Sequence, residues 1–264
     1  MGACRYCGAD AGFLRSAHDA CSHKLKTAIS NYLEGNEPLS QLEGVATELN
    51  AKGPTGQEAF AECWDKAVTR ALEDGVVSAD EEERLTTAAK SFSLTQDELD
   101  KRGKYTQLLK AAVLRDVLEG KVPARVKIQG VNLNLQKTEK VAWLFPGTEY
   151  VTLRTYRTYA GSSQGLSIRI MKGVYYRPSV FKASPIEHSQ VVSGGKGNLA
   201  LTNKNIYFVG PLKTMRIPYT KIVAFQPYTD GIGFQRDAAS AKPEVFKTGD
   251  GWFTYNLVTN LAQL

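Results

Sequence analysis

Apolar residues recur every three to four positions through the first half of the chain and every second position through the rest. That change of period divides the 264 residues into a helical part and a strand part. Residues 24–118 read as helices. LKTAISNYLEG carries apolar residues at helical spacing and stops at Gly35. PLSQLEGVATELNAKG places Leu39, Leu42, Val45, Ala46 and Leu49 on one stripe and stops at Gly53. GQEAFAECWDKAVTRALEDG puts Ala59, Phe60, Cys63, Trp64, Ala67, Val68, Ala71 and Leu72 on one face. Cys63 falls on that stripe and reads as a small core hydrophobe. Ser78 with Glu81 forms a capping-box pattern, and the acidic run Asp80 to Glu83 suits the positive end of a helix dipole. Thr95 with Glu98 repeats the pattern before LDKRGKYTQLLKAAVLRDVLEG. These patterns predict five helices in a bundle.

EGKVPARVKIQGVN breaks the helical pattern with Gly120, Pro123 and Gly130. From about residue 137 the period is two. VAWLF, EYVTLRTYRTYA, GLSIRIMKGVYY, GNLALTNKNIYFVG, TMRIPYTKIVAFQPY, GIGFQRD and PEVFKTGD read as seven strands, rich in β-branched and aromatic residues. EYVTLRTYRTY is expected to pair with GLSIRIMKGVYY through a turn at Gly161–Gln164. GSSQG and SGGKGN read as hairpin loops, and SPIEHSQ as a surface loop holding His188. WFTYNLVTNLAQL closes the chain as an amphipathic helix, with Trp252, Phe253 and Leu257 expected to bury against Ile206, Phe208 and Phe225.

The first 21 residues carry three of the four cysteines. Clustered cysteines in a chain without an export signal point to metal rather than disulfides, and to a cytoplasmic setting. Cys4, Cys7, His18 and Cys21 have the spacing C-x2-C, ten residues, H-x2-C. Two cysteines two residues apart form a tight knuckle on one ion. His18 and Cys21 share a face on a helical turn. Four soft or borderline donors suit tetrahedral Zn2+. His23 is the competing fourth ligand.

The net charge of +6 hides a segregation. Residues 31–100 carry 5 Lys and Arg against 16 Asp and Glu, whereas residues 131–264 carry 16 against 7. An acidic middle and basic ends imply surfaces with different partners. On the strands, Arg154, Tyr156 and Arg169 are expected on one outer face, with Lys172 and Arg177 near its end, as a site for acidic segments or anionic lipid headgroups. Arg5, Arg15, Lys24 and Lys26 with Tyr6 and Phe13 make nucleic acid the alternative partner. No G-x-S-x-G, no Walker sequence and no paired His–carboxylate motif appears, so no enzyme is expected. LEDGVVSADEE resembles the tail of a calcium loop. Aligning Gly75 to its glycine puts Arg70 and Leu72 where calcium needs oxygens, so calcium is not expected.

Three resemblances follow from these segments. CRYCGADAGFLRSAHDACSHK resembles a short zinc-ribbon-like or treble-clef-like finger. The acidic-Gly turn and capped helix within residues 38–118 resemble TerB-like helical domains. GNLALTNKNIYFVG with RIPYTKIVAF and DGIGF resembles the pleckstrin-homology (PH) superfold and its GRAM-like versions. The expected fold is α+β and multidomain: a zinc finger (1–30), a TerB-like all-α bundle (31–118), a linker (119–136), and a PH-like seven-stranded antiparallel barrel with a C-terminal helix (137–264). The resemblances imply a non-enzymatic adaptor binding a protein partner and an anionic membrane surface, peripheral at the inner membrane face, in a bacterial or phage stress or defence setting.

Overall fold

The structure, a computed structural model, describes residues 2–73, 77–123, 125–126, 130–158, 168–171, 174–176, 186–238 and 241–264. The chain forms two compact units, Met1–Arg115 and Asp116–Leu264. Among the described residues, no helix is long and apolar enough to cross a membrane.

The first unit contains α1 (Asp19–Leu33), α2 (Leu39–Glu48), α3 (Pro54–Ala71), α4 (Ala79–Ser91), α5 (Gln96–Leu99) and most of α6 (Lys104–Leu118). α1 runs through residue 30, so the Cys-rich segment and the helices share one core. Cys4 and Tyr6 are buried in it with Leu25, Ile29, Phe60, Trp64 and Leu85. Phe60 stacks on Phe92 at 4.6 Å, and the Trp64 indole donates to the Leu85 carbonyl at 3.1 Å. Both capping boxes form: Ser78 with Glu81 starts α4, and Thr95 with Glu98 starts α5. The single helix expected after Thr95 is two. Gly103, at φ +71°, separates α5 from α6, in backbone space that favours glycine. Arg70 lies inside α3, and Asp74 and Gly75 lie outside the described residues.

The second unit contains β1 (Val141–Thr158), β2 (Ile168–Met171), β3 (Val174–Tyr176), β4 (Ile186–Thr202), β5 (Asn205–Val209), β6 (Thr214–Pro218), β7 (Ile222–Tyr228), β8 (Gly231–Arg236), β9 (Glu244–Lys247) and α7 (Gly251–Leu261). Seven strands form one antiparallel sheet in the order β6-β5-β4-β1-β9-β8-β7, while β2 and β3 pair with each other. Tyr150, Phe208, Phe234 and Phe246 form the aromatic core, with ring centroids 5.3–5.7 Å apart.

Several strand expectations are corrected. β1 absorbs both VAWLF and EYVTLRTYRT, bending at a register shift between Phe145 and Thr148. Its long partner is β4, not β2: Arg154 faces Gln190, and Tyr156 faces His188. Ser193–Asn198 and His188 therefore lie within β4 rather than in loops, and a second shift near Glu149 and Val151 accommodates the glycines. GSSQG lies outside the described residues. TMRIPYTKIVAFQPY is two strands. Pro218 ends β6, and a 3-10 turn over Tyr219–Lys221 leads to β7 at the opposite edge of the sheet order. Phe253 and Leu257 are buried, with Phe253 edge-on to Trp143 at 5.0 Å, but Trp252 is 65% exposed. Phe253, Leu257 and Leu261 recur at four-residue spacing, and Trp252 sits about 100° from that stripe.

A buried carboxylate fastens the start of β1. Glu139 Oε1 accepts from Thr202 Oγ1 at 2.5 Å and Asn205 Nδ2 at 2.8 Å. Its Oε2 accepts from Gln136 N at 2.8 Å and the Tyr207 hydroxyl at 2.9 Å. Burial alone would raise its pKa, but these four donors outweigh burial and lower it. The contribution to stability is complete above the ordinary glutamate pKa and is lost as pH falls below it towards the lower folded value. Glu139→Gln puts an NH2 group against two of the donors. It is expected to cost about 2–3 kcal/mol at neutral pH and to flatten the acid limb of stability measured by urea melts between pH 3 and 7.

Candidate metal centre

The Cys-rich segment folds onto itself before α1 begins. Cys4 N donates to the Ala9 carbonyl at 2.7 Å, and Gly8 N donates to the Cys4 carbonyl at 2.8 Å. Gly8 sits at φ +75°, which closes this turn. Ala3 bridges Asp10, so the two arms around the knuckle are joined. Arg5 N donates to the Ser16 carbonyl at 2.9 Å and brings the second ligand pair beside the first. His18 is the N-cap residue of α1, and Cys21 lies in its first turn.

This backbone places the Cys4, Cys7 and Cys21 sulfurs and one His18 nitrogen within 4.8 Å of one another. His18 Nδ1 lies 3.3 Å from Cys7 Sγ and 4.0 Å from Cys21 Sγ. Donors at zinc-like bond lengths in a tetrahedron are separated by about 3.3–3.8 Å. The four donors therefore fit one metal ion with small side-chain adjustment. His18 Nε2 lies 3.0 Å from the Asp10 carbonyl, which fixes the tautomer that leaves Nδ1 free to ligate. Asp10 acts here through its backbone, so residue type carried no signal for this role. Its side chain meanwhile accepts from Gly12 N at 3.0 Å.

The thiols are unequal. Burial opposes ionisation of Cys4, but backbone hydrogen bonds at Cys7, His18 and Tyr6, with the Cys7 side chain, outweigh it and bring its pKa down to about 6. His18 N donates to Cys4 Sγ at 3.3 Å as part of that set. Cys21 is pushed up to about 11 by burial and by the neighbouring Cys7 and Cys4. The His18 imidazole is raised, first by its contact with Cys7 and then by the Asp10 carbonyl. Bringing three thiols together without a cation is thus unfavourable for the last of them, and a divalent cation removes that penalty.

His18 belongs to the donor set and His23 does not, among the described residues. His18→Ala is expected to lower metal content and melting temperature, whereas His23→Ala leaves both unchanged. Metal analysis of the two purified variants checks this.

The basic residues of the same segment are already engaged. Arg5 pairs with Glu58 at 3.2 Å, Arg15 with Asp19 at 3.1 Å, Lys24 with Glu48 at 2.5 Å and Lys26 with Glu62 at 2.5 Å. Tyr6 is buried, while Phe13 and Leu14 are 84% and 90% exposed. A phosphate backbone would have to displace four carboxylates here. In the second unit, Arg154, Tyr156 and Arg169 are placed by strand position alone, and the structure does not bring β1 and β2 together as partners. Lys172 and Arg177 lie outside the described residues. No protein-family model and no curated protein matches the chain, so geometry and chemistry carry the functional argument.

Proposed function

We propose that this protein is a non-enzymatic adaptor. A zinc-stapled, TerB-like helical unit holds a protein partner, and a PH-like unit engages an anionic membrane surface. The observation that carries the reading is the donor set itself. Three cysteines and one histidine lie close enough to supply four protein ligands to a single ion, which would leave no position for substrate or water. A closed site of this kind stabilises a fold instead of activating a nucleophile. Its ligand Cys4 is buried in the core shared with the helices, as expected of a structural staple.

Two surface features support the binding role. Phe13 and Leu14 are the most exposed large apolar residues described, on a loop held at both ends by the knuckle and α1. Leu14 adopts φ +60°, a conformation that costs a leucine about 1 kcal/mol and concentrates at functional positions. In the second unit, residues 131–264 carry 16 Lys and Arg against 7 Asp and Glu, and of those acids Glu139 is buried in its own hydrogen-bond network while Glu244 pairs with Arg236. Arg154, Tyr156, Arg169, Lys172 and Arg177 are the residues assigned to the headgroups. The bacterial or phage stress setting rests on the resemblances alone.

Co-sedimentation of the full chain with vesicles tests the membrane arm. The protein is expected to pellet with phosphatidylserine-containing vesicles and not with phosphatidylcholine alone. Pelleting should weaken as salt rises, because charge attraction is screened over about 10 Å at 0.1 M. Arg154→Ala/Arg169→Ala should reduce it without unfolding the protein. No pelleting at low salt contradicts this arm.

A further inference from the structure

We infer that the cleft between α1, α3 and α4 binds a small organic oxyanion, a carboxylate or phosphate on a compact apolar body, with Arg84 receiving the charge. The cleft has a volume of about 350 Å³ and lies away from the metal ligands, among residues at the ends of α1 and α3 and the start of α4. That volume suits a small ligand. Leu33, Ala67, Ala71 and Leu85 supply its apolar walls, while Arg70 and Arg84 supply the cations.

Arg84 is the exception among the arginines of the first unit. Arg5, Arg15, Arg70, Arg102 and Arg115 each pair with a carboxylate: Glu58, Asp19, Glu34, Asp65 and Glu82, respectively. Arg84 has no such partner among the described residues, and its Nε is buried without a hydrogen bond. This occurs in a stretch where acids outnumber bases 16 to 5. The carboxylates lining the cleft are committed elsewhere. Glu34 serves Arg70 and Asn36, and Glu81 accepts from Ser78 N at 2.9 Å and Ser78 Oγ at 2.7 Å in the capping box. Gly35 keeps the guanidinium close to the backbone: a Cβ there would stand 3.2 Å from Arg84 Cζ.

A guanidinium partly withdrawn from water and left without an anion is unfavourable, because a charged donor loses solvation without replacement. An external oxyanion in the cleft would pair with the terminal nitrogens of this half-buried guanidinium and supply the countercharge it lacks, in the planar geometry that arginine matches two-pronged. The apolar walls then hold the body of the ligand. This site is independent of the zinc and of the membrane arm, and its failure would leave both unaffected.

The test is 1H–15N NMR of the full-length protein, observing the arginine Nε–Hε signals during titration with phenyl phosphate, benzoate, inorganic phosphate and benzyl alcohol. Phenyl phosphate and benzoate are expected to shift the Arg84 signal saturably, and inorganic phosphate to do so more weakly. Whichever of the two aromatic anions binds tighter identifies the headgroup. Benzyl alcohol, which lacks the charge, should leave the signal in place. The Arg84 variants lack that signal, so affinity in wild type and variants is read from the backbone amide shifts of Gly35 and Ala71 at the cleft; Arg84→Gln should weaken binding at least about tenfold, the loss expected for a charge-assisted hydrogen bond. Arg84→Lys keeps the charge and the stem but lacks the fork, so it should bind with intermediate strength while remaining folded by circular dichroism. The absence of saturable shifts in the wild-type protein overturns the inference. So do equal affinities in wild type and both variants, which would mark adventitious surface binding only.

Discussion

Replacing Cys4 and Cys7 together by serine is expected to abolish zinc binding and unfold Met1–Arg115. Two of four ligands cannot be lost from a structural site without losing the ion. Cys4 is only 3% exposed and shares its core with Leu25, Ile29 and Trp64, so the damage is not confined to the first 21 residues. Structural zinc contributes about 10–16 kcal/mol in finger peptides, as large as the whole stability of a typical domain at about 5–15 kcal/mol. The helical circular dichroism signal should therefore fall sharply and its melting transition broaden or vanish. Cys63→Ser is the control. Cys63 is also buried, but it lies on the apolar face of α3 outside the donor set, with its sulfur 3.8 Å from the Lys26 carbonyl. That change should keep the zinc and cost about 1–2 kcal/mol.

The second large effect lies in the other unit. Truncation after Gly251 removes Phe253, Leu257, Val258 and Leu261, all essentially inaccessible to water. It exposes Trp143 and Phe145, whose rings lie 5.0 and 5.9 Å from Phe253. Each of these side chains contributes about 1.5–3 kcal/mol when fully buried, so their combined loss exceeds what a domain of this size can spare. The truncated chain should lose its β-sheet transition while keeping the helical one. Trp252→Ala tests the refined face of α7. With Trp252 mostly in water, it should cost less than about 1 kcal/mol. A cost comparable to that of Phe253→Ala would place Trp252 in the core after all.

The parts of this fold legible in the sequence are those governed by short-range rules. The stripe Phe60, Cys63, Trp64 and Val68 is buried as its spacing requires, because helix periodicity reports directly on the face that packs. Both capping boxes, each set by two residues three apart, are present. The closeness of Cys4, Cys7, His18 and Cys21 was legible for the same reason, since each pair lies three residues apart and only one longer connection joins them. Strand pairing was not. Alternation at EYVTLRTYRT announces a strand, yet nothing in those residues selects β4 over β2 as neighbour. That choice is made by contacts 28 to 47 positions away. Pro218 was read as the middle of one strand because its flanks both alternate; the fixed φ and missing N–H instead end β6. Arg84 carries no signal in the sequence, because what singles it out is the prior commitment of its neighbours Glu34 and Glu81.

In the proposed function, one zinc ion held by Cys4, Cys7, His18 and Cys21 completes the fold of the first unit. The direct measurement is the metal content of the purified full-length protein by mass spectrometry, paired with its melting temperature before and after chelation. About one zinc per chain is expected, with a large fall in the helical transition when the zinc is withdrawn, restored by stoichiometric Zn2+. A metal-free protein that melts at the same temperature with and without added zinc would contradict it.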